Sequence, residues 1–347
     1  MVIHVVGAGI AGSAAALALH GVGAEVVVHE AHPDASTDAG AFLTLAENGM
    51  RALQAIGADE AVRHASEPLR TMRVSDGTGT EIASRPLGEP GGPGFRYLTR
   101  ARLCLVLQDE VRRRGIPLRH GERLAATAPD GDGVAAVFDD GTRAGCDLLI
   151  GADGLRSIVR TQLDPGAAPP RYVGSQIFYG TTPGTPPGEP TDRIHFVRST
   201  SAGSVAFGFI ATEREGTWWF ARVIGPELTP DELAAGTTDG WSAHLTDVLR
   251  AEPGPQAIVR AADRVLVTNA YDLAGVRVWH RDRAVIIGDA AHVASPATGQ
   301  GASMALEDAV ALAEVIRDAD GIDTALTAYE ERRRAPVEAN TAASARL

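Results

Sequence analysis

The chain has 347 residues, 44% of them hydrophobic, and carries a formal net charge of −12. That length accommodates one large domain or two intertwined ones with a sizeable core, and the charge argues against general affinity for nucleic acid or anionic membranes. No apolar run approaches the ~18 residues that cross a bilayer.

The N-terminus enters an apolar run at once, without a basic flank or a cleavage site, so no signal peptide and a cytoplasmic location are expected. Cys104 and Cys146 have no His or Cys at ligand spacing and read as two small buried hydrophobes in a reducing compartment, with no metal site. The chain contains no lysine, so all 32 of its basic residues are arginine.

In chain order, Val2 to Val6, a helix from Ala11 to Leu19, and Glu25 to Glu30 form a βαβ unit. Phe42 to Ile56 follows, helical in its later part through Met50, Leu53 and Ile56. Thr71 to Ser75 and Glu81 to Ser84 read as a hairpin around Asp76-Gly77-Thr78-Gly79. Pro86 to Gly94 breaks regular structure, and Arg100 to Arg114 restores a helix with Leu103, Leu107 and Val111 on one face. Leu124 to Thr127, Val134 to Phe138 and Asp147 to Ile150 read as a β-meander leading into Gly151-Ala152-Asp153-Gly154. Arg171 to Val223 is strand-like and aromatic, a separate antiparallel sheet interrupted by Pro183 to Pro190. Ala284 to Ile287 is a buried-type strand, and two helices, Ala302 to Arg317 and Thr324 to Asn340, finish the chain.

Two glycine segments carry the chemistry. Gly7-Ala8-Gly9-Ile10-Ala11-Gly12 follows a strand and opens a helix, and Glu30 ends the next strand 18 residues after Gly12. Gly7 permits the tight turn, Gly9 lets the backbone approach a pyrophosphate, and Gly12 allows close helix packing. The N-terminus of the helix, with Ile10 and Ala11 in its first turn, offers aligned N–H groups to phosphates. Glu30 is expected to accept from ribose hydroxyls. NAD as a bound cosubstrate and a coincidental glycine turn are the competing readings.

The second segment, Gly288-Asp289-Ala290-Ala291-His292, places an acid just past a strand end, where it can bond the polyol linker of a flavin, which NAD lacks. Pro296 and Gly299-Gln300-Gly301 then lead into a helix start. Its N–H groups and positive end suit the negative charge that reduction puts on a flavin ring. The competing reading is an ordinary strand–loop–helix corner.

These residues resemble the group A flavoprotein monooxygenases, the class of para-hydroxybenzoate hydroxylase, salicylate hydroxylase and the tetracycline-modifying flavin monooxygenases. The resemblance covers nearly the whole chain through three ordered motifs: the glycine fingerprint with Glu30; Asp153-Gly154-Leu155-Arg156-Ser157-Ile158-Val159-Arg160; and Gly288-Asp289 with Pro296 and Gly299-Gln300-Gly301. It implies an α/β fold, with a discontinuous Rossmann-like FAD-binding domain of glutathione reductase type, an inserted mixed β-sheet substrate domain and C-terminal helices. The expected division gives residues 1–70, 95–165 and 265–347 to FAD, and 71–94 and 166–264 to the substrate.

The resemblance also implies roles. Asp289 contacts the ribityl chain, and Pro296, Gly299 and Gly301 form the catalytic edge: Pro296 lines the flavin face and the Gly299 to Gly301 backbone faces N1 and O2. Asp153 serves FAD and NAD(P)H handling. Thr99-Arg100-Ala101-Arg102-Leu103 resembles a His-Arg-Ala-Asp-Leu segment, which makes Arg100 the cofactor arginine and leaves Arg102 to solvent. Many relatives carry Trp-Arg-Gly where this chain has Phe178-Tyr179-Gly180, so an arginine anchoring an acidic substrate is not expected there, and an apolar, polycyclic substrate is favoured. Tyr179, Trp218 and Phe207 are the substrate-side candidates; His195 and His292 are of the residue type for a general base, but neither is expected to act as one.

The activity implied is NAD(P)H- and O2-dependent hydroxylation or epoxidation of an aromatic or electron-rich small molecule through a C4a-hydroperoxyflavin, in bacterial natural-product or aromatic metabolism. NADH or NADPH docks transiently, since no second dinucleotide fold is present, and the protein is a monomer or homodimer. Three alternatives compete: a reductase of the geranylgeranyl reductase kind, a flavin halogenase (whose Trp-x-Trp-x-Ile-Pro segment is missing), and a non-catalytic FAD-bound biosynthetic partner.

Overall fold

The structure is a computed structural model that describes residues 1–33, 41–185, 189–198, 205–273, 275–293 and 298–344. Its cofactor-side frame is a six-stranded sheet in the order His280–Arg281, Ala284–Ile286, Leu148–Gly151, Val2–Val6, Glu25–Glu30, Leu118–His120. All neighbours run parallel except His280–Arg281 against Ala284–Ile286. The central strands are continuous apolar runs because both faces are covered, one by helices and the other by the three-stranded sheet Leu124–Asp130, Gly133–Phe138, Arg143–Cys146, whose Phe138 ring meets His29 at 4.8 Å.

The helix Ile10–Gly21 crosses between Val2–Val6 and Glu25–Glu30 and packs against Gly301–Asp318. Its run of small residues, Ala14, Ala15 and Ala16, is fully buried. Close approach is obligatory at its start. A Cβ on Gly12 would sit 1.9 Å from the Gly7 carbonyl oxygen, and one on Gly7, whose φ is +101°, 2.4 Å from the Ala152 carbonyl oxygen. No side chain larger than hydrogen fits either position.

The second frame is a seven-stranded sheet: Arg264–Asp272, Arg171–Thr182, Thr217–Ile224, Val205–Ala211, Arg193–Arg198, Thr71–Asp76, Glu81–Pro86. It is antiparallel except where Arg193–Arg198 runs parallel to Thr71–Asp76. Its back face buries Phe178, Phe207, Trp219 and Ala221 against Leu245, Leu249 and Val259, from the helix Thr238–Val248, its C-cap and the helix Pro253–Arg260. Its front face meets a small sheet of Phe42–Leu45, Phe95–Thr99 and Glu67–Leu69.

Two sequence expectations are corrected. The third strand of the meander is Arg143–Cys146, paired with Gly133–Phe138. Leu148–Gly151 belongs instead to the parallel sheet between Val2–Val6 and Ala284–Ile286. Its Leu-Leu-Ile run is buried on both faces, which is the pattern of a central parallel strand and not of a meander edge. The helices Thr238–Val248 and Pro253–Arg260 and the strand Phe95–Thr99 were not expected. Arg264–Asp272, mostly grouped by sequence with the cofactor segments, pairs along Arg171–Thr182 in the seven-stranded sheet.

Candidate active site

A cavity of about 630 Å³ lies between the two frames. A more open depression of about 620 Å³ beside Asp130, Asp132, Asp147 and Arg283 contains no motif residue, so the chemistry belongs to the first.

At one end the cavity is bounded by Gly9, Ile10 and Ala11. A Cβ built on Gly9 would meet nothing within 4 Å, so its backbone edge faces open space. The helix that follows has no side-chain cap at its start. Its first N–H groups therefore point unsatisfied toward the cavity end, with the positive end of the helix dipole behind them. Such a helix start favours an anion. Glu30 holds the loop: its carboxylate accepts from the Ala8 N–H at 2.7 Å and the His32 N–H at 2.9 Å. Each oxygen retains a second lone pair for another donor.

Asp289 lies in the short 3₁₀ turn Gly288–Ala290 that follows Ala284–Ile286. Its carboxylate opens onto the cavity and makes no hydrogen bond among the described residues. Desolvation raises its pKa, while His292 and Arg100 pull it back down. The carboxylate is exposed to the open cavity, where a ligand hydroxyl can donate to it. Gly288 is held at φ +57°, and a Cβ there would lie 2.7 Å from Ala11 Cβ, so the two glycine segments touch.

Arg100, the first residue of the helix Arg100–Arg113, reaches the same cavity, whereas exposed Arg102 does not border it. Gly299 and Gly301 border it too, Gly299 at φ +63°. Gln300 caps the helix Gly301–Asp318 without a side-chain bond of its own to it, and its amide oxygen accepts from Asn48 Nδ2 at 3.3 Å. A second uncapped helix start thus faces the cavity. Pro296 lies outside the described residues.

Asp153 is placed differently from what its motif suggested. Its oxygens accept from Ser157 Oγ at 2.5 Å and from the N–H groups of Ile158 at 2.7 Å and Val159 at 3.2 Å. It therefore anchors the start of the helix Ile158–Leu163, and its neighbours Ala152 and Gly154 border the cavity in its place. Burial raises its pKa against these donors.

An unanticipated network supports the Asp289 turn. Asp308, fully buried, accepts from the Gly288 N–H at 2.9 Å, from His292 Nε2 at 2.6 Å and from Arg333 Nε at 2.7 Å. On the other side, the Arg160 guanidinium donates to the Ala290 carbonyl at 3.0 Å. Burial alone would lower the His292 pKa, but the Asp308 carboxylate outweighs it and raises it. Burial likewise opposes ionisation of Asp308, yet His292 and Arg333 hold its pKa below the usual range. His292 is thus a structural partner of the turn. The signal was present in the sequence: Asp308 interrupts the apolar stripe Met304, Ala305, Ala309, Leu312, and Arg333 the stripe Leu326, Tyr329, Val337. A charge inside such a stripe demands a buried partner.

The opposite wall is the front face of the seven-stranded sheet, through Ile177, Tyr179, Ile194, Phe196, Ala206, Phe220 and Arg222. The Tyr179 hydroxyl makes no hydrogen bond among the described residues, and burial pushes its pKa to about 12. Trp218 shares the face of Phe220 but lies off the cavity, edge-on to Tyr97 with ring centroids 5.9 Å apart. Phe207 points to the back face, stacked on Trp219 at 5.9 Å. Strand alternation puts Phe207, one residue from the cavity-facing Ala206, on the back face, whereas Trp218 and Phe220 share the front face and position along the strand brings only Phe220 to the cavity. Gly208 makes room for it, since a Cβ there would lie 2.5 Å from the Phe220 ring.

His195 also lies on the back face, stacked on Phe209 at 4.3 Å with Nε2 3.0 Å from Glu189. Burial lowers its pKa to about 4, and it does not reach the cavity. Among the described residues there is no cluster of His, Cys, Asp and Glu that could hold a metal ion, and no helix long and apolar enough to cross a membrane.

Comparison with known proteins agrees with this geometry. A family model described as "FAD binding domain" matches residues 1–344. Aurachin C monooxygenase/isomerase of Stigmatella aurantiaca is 32% identical over 344 residues, spanning 96% of this chain and 85% of the relative. The FAD-dependent urate hydroxylase of Mycolicibacterium vanbaalenii is 30% identical, spanning 96% of this chain and 84% of its own length. The crystal structure of Klebsiella pneumoniae HpxO complexed with FAD and uric acid superposes with a TM-score of 0.89 at 26% identity, covering 100% of this chain and 87% of HpxO. The chain belongs to the FAD-binding-domain family of flavin-dependent aromatic monooxygenases.

Proposed function

We propose that this chain hydroxylates or epoxidises a small aromatic or otherwise electron-rich molecule: substrate, O2, NAD(P)H and a proton give oxygenated substrate, NAD(P)+ and water. The observation that carries this reading is a single cavity bounded at one end by open glycine backbone and the unbonded Asp289 carboxylate, and at the other by an aromatic sheet face. Bound FAD supplies the electron transfer from NAD(P)H and the activation of oxygen, which the side chains of this cavity cannot provide.

The residues present fit that group. The uncapped start of Ile10–Gly21, with Gly9 beside it, receives the pyrophosphate, and Glu30 takes a ribose hydroxyl with its remaining lone pairs. Arg100 neutralises phosphate charge. Asp289 accepts from the ribityl chain, and the N–H groups at Gly299, Gln300 and Gly301 receive the negative edge of the reduced ring. Asp153 acts through the helix start it anchors, keeping Gly154 at the cavity edge.

On the substrate wall, Phe196 and Phe220 hold an aromatic ring and exclude water, and the Tyr179 hydroxyl receives a polar substituent. The glycine-loop frame is the cofactor-binding unit. The seven-stranded sheet with its covering helices, Arg264–Asp272 included, is the substrate unit. A cytoplasmic monomer or homodimer with transient NADH or NADPH docking completes the proposal.

The test is NAD(P)H oxidation and O2 uptake by the FAD-loaded protein against a panel of aromatic compounds and alkenes. Stimulated uptake matched by an oxygenated product supports the reading. Uptake that no compound stimulates, or alkene reduction without O2, contradicts it.

A further inference from the structure

Among the described lining residues, the C-terminal helix Ile322–Ser344 reaches the cavity through Asn340 alone. On that helix Arg333, Val337, Asn340 and Ser344 follow one another at steps of four, three and four residues. At about 100° per residue they share an arc of roughly 60°, the stripe turned toward the core. Three of the four are buried and matched. Arg333 bonds Asp308 at 2.7 Å, Val337 joins the main apolar core, and the Ser344 hydroxyl meets the Thr298 hydroxyl at 3.0 Å. Asn340 is the exception: it is half-buried, borders the cavity, and makes no hydrogen bond among the described residues.

A polar side chain in an inward stripe calls for a partner. Bonds on either side of Asn340 fix where it stands. Arg333, two turns before it, is tied through Asp308 to the Gly288 N–H. Ser344, one turn after it, is tied to Thr298, which borders the cavity beside Gly299. The groups that receive the FAD phosphates, ribityl chain and ring edge come from other elements. Asn340 is also the one carboxamide among the described lining residues.

Resting on the monooxygenase reading above, we infer that Asn340 is a specificity-determining residue that selects an aromatic substrate with a neutral amide edge, a ring lactam whose C=O and N–H are neighbours. Asn340 Nδ2 donates to the lactam oxygen while Oδ1 accepts from the lactam N–H. Arg100 offers only donors and ionised Asp289 only acceptors, whereas the carboxamide offers both across one flat edge. The rings of the substrate lie against Phe196 and Phe220, apolar surface with no competing hydrogen-bonding group. An N-methylated lactam cannot donate and leaves Oδ1 without a partner, so it is penalised. The expected apolar, polycyclic substrate thus acquires one polar edge.

The test is equilibrium binding to the oxidised FAD-loaded enzyme, read from the flavin absorbance change without NAD(P)H. The probes are lactams with and without the N–H: 2-quinolone with N-methyl-2-quinolone, and 1-isoquinolone with its N-methyl derivative. In at least one pair the N–H lactam should bind about 10-fold more tightly, a difference within reach of two neutral hydrogen bonds. Asn340→Leu and Asn340→Ala should each weaken that lactam about 10-fold while leaving its N-methyl partner and the FAD content within about twofold.

A lactam preference that survives in both variants overturns the inference, because it would then come from the shape of the cavity. Equal binding within every pair by the unmodified protein, or binding of no probe, overturns it too. So does loss of FAD from both variants, which would assign Asn340 to the cofactor. Because no turnover is read, these outcomes are separable from failure of the monooxygenase reading.

Discussion

The two ends of the cavity are made of different material. At the cofactor end the decisive atoms belong to the backbone: glycines at positive φ or in closest contact, two uncapped helix starts, and one carboxylate held in a turn. At the substrate wall they belong to side chains on a pleated sheet, where a one-residue shift moves a group from the cavity to the opposite core. The first end tolerates almost no change in shape. The second can change chemistry while keeping its shape, which suits one cofactor serving many substrates.

The largest expected effects separate two glycines of one loop. Gly12→Val should prevent folding, costing more than about 3 kcal/mol, because its Cβ would collide with the Gly7 carbonyl. Gly9→Val should fold and melt like wild-type apoprotein yet bind no FAD, since its side chain would fill only the open space. Far-UV circular dichroism of the apoproteins and flavin absorbance after reconstitution check both. A Gly9→Val protein that retains stoichiometric FAD would break the assignment.

The same logic splits two phenylalanines. Phe207→Ala should destabilise by about 3–5 kcal/mol, as a buried aromatic truncation does, with KM for the substrate little changed. Phe220→Ala should raise KM with a smaller stability loss, because its ring borders the cavity. Denaturant melts beside steady-state kinetics decide, and the reverse pattern would put the cavity on the wrong face of the sheet.

Asp289→Ala comes next. Removing the unbonded carboxylate should weaken FAD binding roughly 10- to 100-fold, the range of one to two hydrogen bonds to a charged group, with the fold intact. Fluorescence titration of the apoprotein measures it, and unchanged affinity would refute the ribityl contact.

The smallest effect is a pH dependence. His292 has its folded pKa raised by Asp308, so its contribution to stability is complete below the ordinary histidine value of about 6.5 and fades as pH rises through the raised value. Melting temperature should therefore decline above neutrality, and His292→Gln should flatten that decline. His195 has the opposite sign. Its pKa of about 4 means that acidification from about pH 6.5 towards 4 favours the unfolded chain.

This asymmetry also governs what the amino-acid sequence discloses. Gly7, Gly12 and Gly288 were legible because only glycine satisfies a φ above zero or a contact below 3 Å, so residue type and geometry coincide. Asp289 was legible as an acid at a strand end. Asp153 was visible but its partners were not, because helix anchoring and cofactor contact call for the same residue type.

On the seven-stranded sheet the residues were visible and their faces were not. Trp218-Trp219-Phe220 offers aromatic rings to both sides, and only the pairing with Arg171–Thr182 and Val205–Ala211 sets which ring meets the cavity. Leu148–Gly151 was misplaced for a related reason: sequence proximity to the meander outweighed its uninterrupted apolar run.

The most direct test of the account uses 18O2. FAD-loaded protein is incubated with NAD(P)H, 18O2 and the panel compound that most accelerates flavin reduction, and the product is examined by mass spectrometry. The account predicts one 18O atom in the product, the other in water, and one NAD(P)H consumed per product formed. A product without 18O, or consumption of NAD(P)H and O2 with every panel compound returned unchanged, would contradict it.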